Sequence, residues 1–385
     1  MYQSTMAAVN RVLSTQPKDF VSAFSRRPAR VSGACLRASA AIETLGGTAM
    51  VTTDKPQPRS TLRDVARLAG VSVATASKAL NGRDQVHPDT RARVLVAAER
   101  ISFTPNALAR GLLAGQTGTV GLITGDLDGR FSLPILMGAE DAFGKGKTSV
   151  FLCDARGDAI REKYHLDALL SRRVDGLIVV GSSTNPRPSI GRNLPVPVVY
   201  VYAPSTNEND LSLVPDNVQG GADSADFLVS RGRRHIAHIT GEIGYAASQD
   251  RVRGIDRAMS SHEMSLVGGV QFGSWTEQWG RNAAAQLIEQ HPEVDGILCG
   301  NDQIARGALE TVREAGWTVP GRVAVMGYDN WEVFTTGSRP QLTSVDMNLE
   351  ALGALAAHRL FEAINGDSQS GVESLPCRIV PRETT

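Results

Sequence analysis

Near residue 118 the hydrophobic period of this 385-residue chain changes, and the change divides it between two kinds of fold. From Thr61 to Phe103 apolar side chains recur at helical spacing: Val65, Leu68 and Ala69, then Ala76 and Leu80, then Val94, Ala97, Ala98 and Ile101. Three short helices are expected there. Thr61 is a good N-cap with Asp64 in the first turn, Gly70 follows the end of the first helix, Ser72 caps the second, and Pro88 opens the third at a position that tolerates a missing N–H. From Val120 onward short apolar runs alternate with amphipathic segments. Strands are expected at 120–123, 149–153, 176–180, 198–201, 235–239, 296–299 and 322–327, and helices around 158–171, 217–230, 276–290, 302–316 and 348–365. Such alternation predicts a parallel α/β body, and about 265 residues suit two lobes better than one.

The net charge is zero, but the charges are unevenly placed. Residues 1–58 carry 7 basic and 3 acidic side chains and residues 59–117 carry 9 and 4, which leaves 24 against 33 for the rest. A small basic module on a large acidic body fits a nucleic-acid reader joined to something that should not itself adhere to phosphate. Residues 1–58 show no sustained period and lack the apolar core of a secretory signal, so they are expected to be a disordered extension. Their arginine-rich, acid-poor composition superficially suits an organellar transit peptide; translation starting at Met50, almost directly before the first motif, is the simpler expectation. No apolar run approaches the roughly 18 residues of a membrane span. Cys35, Cys153, Cys299 and Cys377 lie far apart, form no metal-ligand spacing, and are read as reduced and structural, with Cys153 and Cys299 ending buried strands. The seven histidines are scattered and are given no role.

Residues 61–82, Thr-Leu-Arg-Asp-Val-Ala-Arg-Leu-Ala-Gly-Val-Ser-Val-Ala-Thr-Ala-Ser-Lys-Ala-Leu-Asn-Gly, compress helix, Gly-containing turn and helix into a helix-turn-helix. The second helix offers Val73, Ala74, Ser77 and Lys78, small enough for close approach to base edges and with one long donor. Thr61, Ser72, Thr75 and Asn81 complete the expected DNA-binding set, Ser72 and Thr75 on the phosphate backbone. The order of small, polar and apolar residues resembles the lactose-repressor (LacI) family almost position by position, and the resemblance extends to about Pro381. Lys78 departs from it, standing where many relatives carry arginine, and so does His87, where a serine-like cap is common. Residues 104–112, Thr-Pro-Asn-Ala-Leu-Ala-Arg-Gly-Leu, resemble that family's hinge helix, which forms on operator DNA and inserts a leucine into the minor groove. By matching position the leucine is Leu112, with Asn106, Ala109 and Arg110 beside it; an apolar wedge unstacks a base step and is compensated by the wider contact that a bent duplex permits. The expected organisation is therefore 1–58 extension, 59–104 helix-turn-helix, 105–117 hinge and linker, and 118–385 two-lobed effector-binding and dimerisation domain of periplasmic-binding-protein type.

In an open parallel sheet, ligands sit beyond the carboxyl ends of the strands. Asp126, Tyr202, Asn301–Asp302 and Tyr328–Asp329–Asn330–Trp331 follow successive apolar runs, and Arg251, Trp275 and Phe131 are expected in loops beside other elements. Carboxylates, amides and an arginine bond hydroxyls directionally while aromatic faces cover C–H surface, as a sugar-sized polyol requires. Asp329 and Asn301 also suit caps, Trp275 a packing role, and Arg251 a surface ion pair. The family resemblance maps effector contacts onto Arg251, Trp275, Asn301 and Asp329, with Gly327–Asn330 and Gly300–Ala305 as anchors. The family's Pro-Asp and Asn-Pro-Phe-Phe surroundings are replaced here by Gly125–Asp126 and Gly129–Ser132, and Tyr202 stands where relatives often have an acid. The expected effector set is Asp126, Phe131, Tyr202, Arg251, Trp275, Asn301, Asp329 and Trp331, with no metal, cofactor or catalytic residue. Gly144–Thr148 looks like the end of a phosphate loop, but Asp141 stands where that motif needs glycine and a helix is expected where it needs a strand. The resemblance implies a cytoplasmic homodimeric regulator, probing operator DNA and answering to a small ligand, a sugar foremost. A solute-binding transport component could use the same body; the helix-turn-helix argues against it. No heptad-rich tail follows Pro381, so no tetramer is expected.

Overall fold

The computed structural model describes residues 60–80, 85–103, 116–126, 130–144 and 148–385. The extension, Met50, Cys35, Asn81 and the hinge residues Asn106, Ala109, Arg110 and Leu112 lie outside these. Three helices make the N-terminal module: α1 (Leu62–Ala69), α2 (Val73–Leu80) and α3 (Pro88–Arg100). At the start of α1 the Thr61 hydroxyl accepts from the backbone N–H of Asp64, and the Asp64 carboxylate takes the Thr61 N–H at 3.0 Å in return, a reciprocal capping box. Gly70, at φ 65°, ends the helix in the left-handed conformation that a side chain disfavours. The Ser72 hydroxyl receives the Thr75 N–H at 3.1 Å and opens α2. His87 makes no side-chain cap for α3, so Pro88 alone marks that start. Val65, Ala66, Ala69, Ala76, Ala79, Val94, Ala97 and Ala98 form the core of the module. Leu68 is not among them: on an eight-residue helix whose inner face is set by Val65, Ala66 and Ala69, it falls to the side and is 43% exposed.

The body holds two six-stranded sheets. In the first lobe β1 (Thr119–Thr124), β2 (Ser149–Asp154), β3 (Gly176–Val180), β4 (Val198–Val201), β5 (Leu211–Pro215) and β11 (Gly371–Leu375) run parallel in the order β11-β5-β4-β3-β1-β2. The second lobe repeats that order with β6 (Ile236–Thr240), β7 (Val270–Phe272), β8 (Gly296–Cys299), β9 (Ala324–Tyr328), β10 (Thr343–Asp346) and β12 (Arg378–Val380), and only β12 is antiparallel. Helices α4 (Ser132–Phe143) and α5 (Ala159–Ser171) connect strands of the first sheet, and α11 (Leu349–Ile364) leads from β10 of the second back to β11 of the first and packs on α4. Helices α6 (Asn217–Ser230), α7 (Ala246–Ser261), α8 (Glu277–Gln290), α9 (Asp302–Glu314) and the short α10 (Glu332–Thr335) belong to the second. The chain passes between lobes after β5, after β10 and between β11 and β12, so three strands tie the lobes without merging their sheets. Reciprocal glycines let helices meet backbone to backbone: a Cβ on Gly138 of α4 would strike Glu350, and one on Gly353 of α11 would strike Ile135.

Cys299 is buried, as a strand-ending hydrophobe should be, but Cys153 is only partly covered because β2 is an edge strand that leaves Phe151 and Leu152 exposed. Helix α4 does precede Gly144, which disposes of the phosphate-loop reading; residues 145–147 lie outside the described set.

Candidate functional site

The exposed face of α2 begins at its cap. Ser72, Val73, Ala74 and Lys78 are exposed, Thr75 and Ser77 half-buried, and Ala76 and Ala79 turn inward to the core. Ser72 Oγ and Thr75 Oγ1 lie 2.8 Å apart, one turn from Lys78. A helix presenting small apolar side chains, three hydroxyls and one ammonium can lie close against a nucleic-acid groove and still reach phosphate or a base acceptor.

The second candidate site opens between the lobes, and charge dominates it. Asp329 follows β9 with its backbone at φ 100°, Asn330 follows at φ 52°, and the Asp329 side chain is only 4% exposed. Two consecutive left-handed residues other than glycine are a strained arrangement, and here bonds from elsewhere hold it. The Asp329 N–H donates to Val345 O at 2.8 Å, the Asn330 N–H to Ser344 Oγ at 3.0 Å, and Arg382 donates to the Asn330 side chain at 2.6 Å. Two arginines face the carboxylate. Arg130, from the first lobe, pairs with it directly and donates to Gln303 Oε1 at 3.1 Å. Its guanidinium is 4.6 Å from the Phe131 ring centre and 5.1 Å from that of Trp331. Arg251, buried on α7, approaches Asp329 to 3.7 Å while it donates to Asn217 at 2.9 Å and to the Gly300 carbonyl, with its guanidinium 3.5 Å from the Tyr328 ring centre. Burial pushes the Asp329 carboxyl up, and Arg130 and then Arg251 pull it back.

Arg130, Phe131, Ser182, Ser183, Thr184, Tyr202, Tyr245, Ala247, Arg251, Trp275 and Asp329 line a cavity of about 190 Å³. Phe131 and Tyr202 stack at 4.6 Å, and Tyr245 meets Trp275 edge-on at 5.7 Å, giving the cavity two aromatic walls. Burial raises the Tyr202 phenol far above its usual range, so it stays a neutral hydroxyl. On the other side of the Arg130–Asp329 pair lies a second cavity of about 390 Å³, lined by Trp331, Asp346, Asn348, Glu350 and Arg378 among others. The ion pair is thus a partition between two chambers.

Five residues expected at the effector site, Phe131, Tyr202, Arg251, Trp275 and Asp329, line the inner chamber, and Trp331 lines the outer one. Arg251 corrects one expectation: it sits within a helix, not in a loop. Asn301 is fully buried and lines neither chamber; its side-chain oxygen caps α9 by accepting the Ile304 N–H at 2.8 Å. Asp126 lies two residues beyond β1 and outside both linings, where its backbone N–H donates to Thr124 Oγ1 at 3.0 Å. Sequence reasoning missed Arg130, Gln303, Tyr245 and the 182–184 hydroxyls. Ser182–Thr184 follow the apolar run at 176–180 and obey the same carboxyl-end rule that found Tyr202 and Asp329.

Head and body together define the class of regulators that join a DNA-reading module to a body built like a binding protein. Residues 61–106 match the bacterial regulatory proteins of the lacI family, and residues 225–385 match the periplasmic binding protein-like domain. Catabolite control protein A of Priestia megaterium is 32% identical over 84% of this chain and 99% of its own length. The ribose operon repressor of Escherichia coli K12 is 32% identical over 79% of this chain and 93% of its own. Among solved structures, the Lac repressor bound to ONPG superposes with a TM-score of 0.70 at 25% identity, over 85% of this chain and all of that one. The transcriptional regulator CelR in complex with cellobiose gives 0.57 at 29%, again over 85% and 100%. The chain belongs to the lacI family of bacterial regulatory proteins, and it is a DNA-binding transcriptional regulator.

Proposed function

We propose that this regulator acts in the cytoplasm as a homodimer, binds a near-palindromic operator through α2 and residues 105–112, and is controlled by a small hydroxylated ligand, a sugar or sugar derivative, held in the interlobe cleft. The observation that carries the ligand is the Asp329 constellation: a buried carboxylate on strained backbone, aimed between two lobes and walled by aromatic rings. A cavity of about 190 Å³ holds roughly six water volumes, the scale of one sugar ring. Relatives support the class: one is named for the ribose operon, and a structural neighbour holds cellobiose.

Dimerisation is supported by Leu133 and Met137 on α4, Phe151 and Leu152 on the β2 edge, and Ile160 and Tyr164 on α5. These six large side chains are 37–82% exposed, more apolar surface than an isolated edge strand usually leaves uncovered. Ligand closing the cleft would alter how two heads are spaced over two half-sites, and operator affinity would change by linkage, with no catalytic step. DNA contact is assigned to Thr61, Ser72, Val73, Ala74, Thr75, Ser77, Lys78 and Asn81, and the minor-groove wedge to Leu112 flanked by Asn106, Ala109 and Arg110. The test begins by selecting duplexes from a random library with the full chain. Leu112→Ala should weaken binding to the selected duplex at least tenfold, and Lys78→Ala should lower the salt slope by about one if Lys78 meets phosphate. Normal operator binding by Leu112→Ala would overturn the wedge assignment.

A further inference from the structure

We propose that Arg130 is a specificity-determining residue of the cleft and selects an effector that bears an anionic group, a carboxylate or a phosphate, on a small hydroxylated frame. The inference rests on the cleft being the effector site. Three buried polar atoms at the inner chamber have no hydrogen-bond partner among the described residues: Nε of Arg130, Nε1 of Trp275 and Oγ1 of Thr184, the last on a residue only 6% exposed. The first two can only donate. The chamber therefore calls for acceptor oxygens, and its lining carries two guanidiniums against one carboxylate.

The Arg130–Asp329 pair sharpens the choice. To reach Asp329 a ligand must share the carboxylate with Arg130 or take it away. A neutral polyol that takes it leaves a guanidinium beside two aromatic rings with no other carboxylate within ion-pair distance among the described residues, Glu332, Asp346 and Glu350 lining only the second cavity, and this is the unfavourable half of a broken buried pair. An anionic ligand exchanges partners instead. Its carboxylate or phosphate accepts from the fork of Arg130, whose plane the Phe131 and Trp331 rings already hold, while its hydroxyls donate to Asp329. Asp302 does not restore neutrality to this lining. It lies outside both chambers, its oxygens accept from Ser344 Oγ and the Trp331 N–H at 2.6 Å each, and burial followed by the nearness of Asp329 drives its carboxyl toward the protonated form.

The test is a melting-temperature panel on the full chain with D-glucose, D-ribose, D-gluconate, D-glucuronate and D-glucose 6-phosphate, followed by calorimetric titration of every compound that shifts the melt. The expected result is an acid or phosphate ester that binds at least tenfold tighter than its neutral parent; which of the two does so names the anion. Arg130→Gln should erase that preference and Arg130→Lys should keep part of it, with circular dichroism showing both variants folded. An acid preference undiminished in Arg130→Gln would overturn the assignment of Arg130. A neutral sugar that binds best, and is lost in Asp329→Asn, would overturn the proposal and leave the cleft reading standing. A panel without any binder would count against both.

Discussion

Each lobe threads its strands in the same order, and matching registers make their parts comparable. Val120 of β1 pairs with the first residue of β3 as Ile236 of β6 pairs with the first residue of β8. On that alignment β1 and β6 differ in polarity at one core position, Leu122 in the first lobe and His238 in the second, and agree at the next polar one, Thr124 and Thr240. Beyond the strand ends the lobes diverge: the first brings Arg130, the hydroxyls of 182–184 and Tyr202, whereas the second brings Asp329, Arg251, Gln303 and Trp275. The first also leaves its edge strand half bare. The shared part is scaffold, set by apolar periodicity; the difference, lodged in loops and edges, is where function lies.

The largest expected effect comes from unbalancing the charges that the lobes bring together. Asp329→Ala leaves two guanidiniums facing each other without their carboxylate and should cost about 3–5 kcal/mol in urea unfolding, with loss of ligand response and retention of operator binding. Arg130→Ala should cost less, about 1.5–3 kcal/mol, because Arg251 still faces Asp329. Equal costs would show that the partition does not depend on which lobe supplies which charge.

Next comes the core position at which the lobes differ. His238 is fully buried, with Nδ1 against Leu298 O at 2.9 Å, and burial lowers its pKa from 6.5 to about 4. An unfolded imidazole takes a proton near pH 6.5, whereas the folded one resists until about pH 4. Between those values the unfolded state binds more protons at this site, so the contribution of His238 to stability falls as pH falls, by about 3 kcal/mol across the window, and is level above it. His238→Gln should flatten that slope, in a pH series of unfolding midpoints, while Leu122→Ala should shift every midpoint and leave the slope alone.

The smallest effect lies outside both lobes and serves as their control. Thr61→Ala removes the capping box and should destabilise the N-terminal module by about 1 kcal/mol, leaving the body unchanged in hydrogen exchange. The same box holds the Asp64 carboxyl down at about 2, first through the Thr61 hydroxyl. A lowered carboxyl contributes stability above its ordinary range, so wild-type α1 should lose this contribution as pH falls from about 4 toward 2 and Thr61→Ala should lose less.

Scaffold was far more legible in the sequence than site. Strands 176–180, 198–201 and 296–299 and the helix at 217–230 were readable to the residue because each is a clean apolar run or a long amphipathic one. Helix α7 was missed because its inner face begins with Ala247, Ser248, Arg251 and Gly254, small and charged side chains, and turns apolar only at Ile255, Ala258 and Met259, too short a run to show the period. Strands β7 and β12 have three residues each, too few to show alternation, and β11 alternates half-buried with exposed residues at an edge. In the cleft, the carboxyl-end rule located Tyr202 and Asp329 but carried no information on pairing. Arg130 meets its partner 199 residues away, and nothing local distinguishes it from a solvated arginine.

The central claim is that one chain couples two binding events, and it is tested most directly by operator affinity, measured by fluorescence anisotropy on the selected duplex, with and without a saturating amount of a ligand that shifts the melt. Wild type should change affinity by about 5- to 150-fold, the usual span of an allosteric coupling, and Asp329→Asn should bind operator equally well in both conditions. Wild-type affinity that is identical with and without bound ligand would contradict the account.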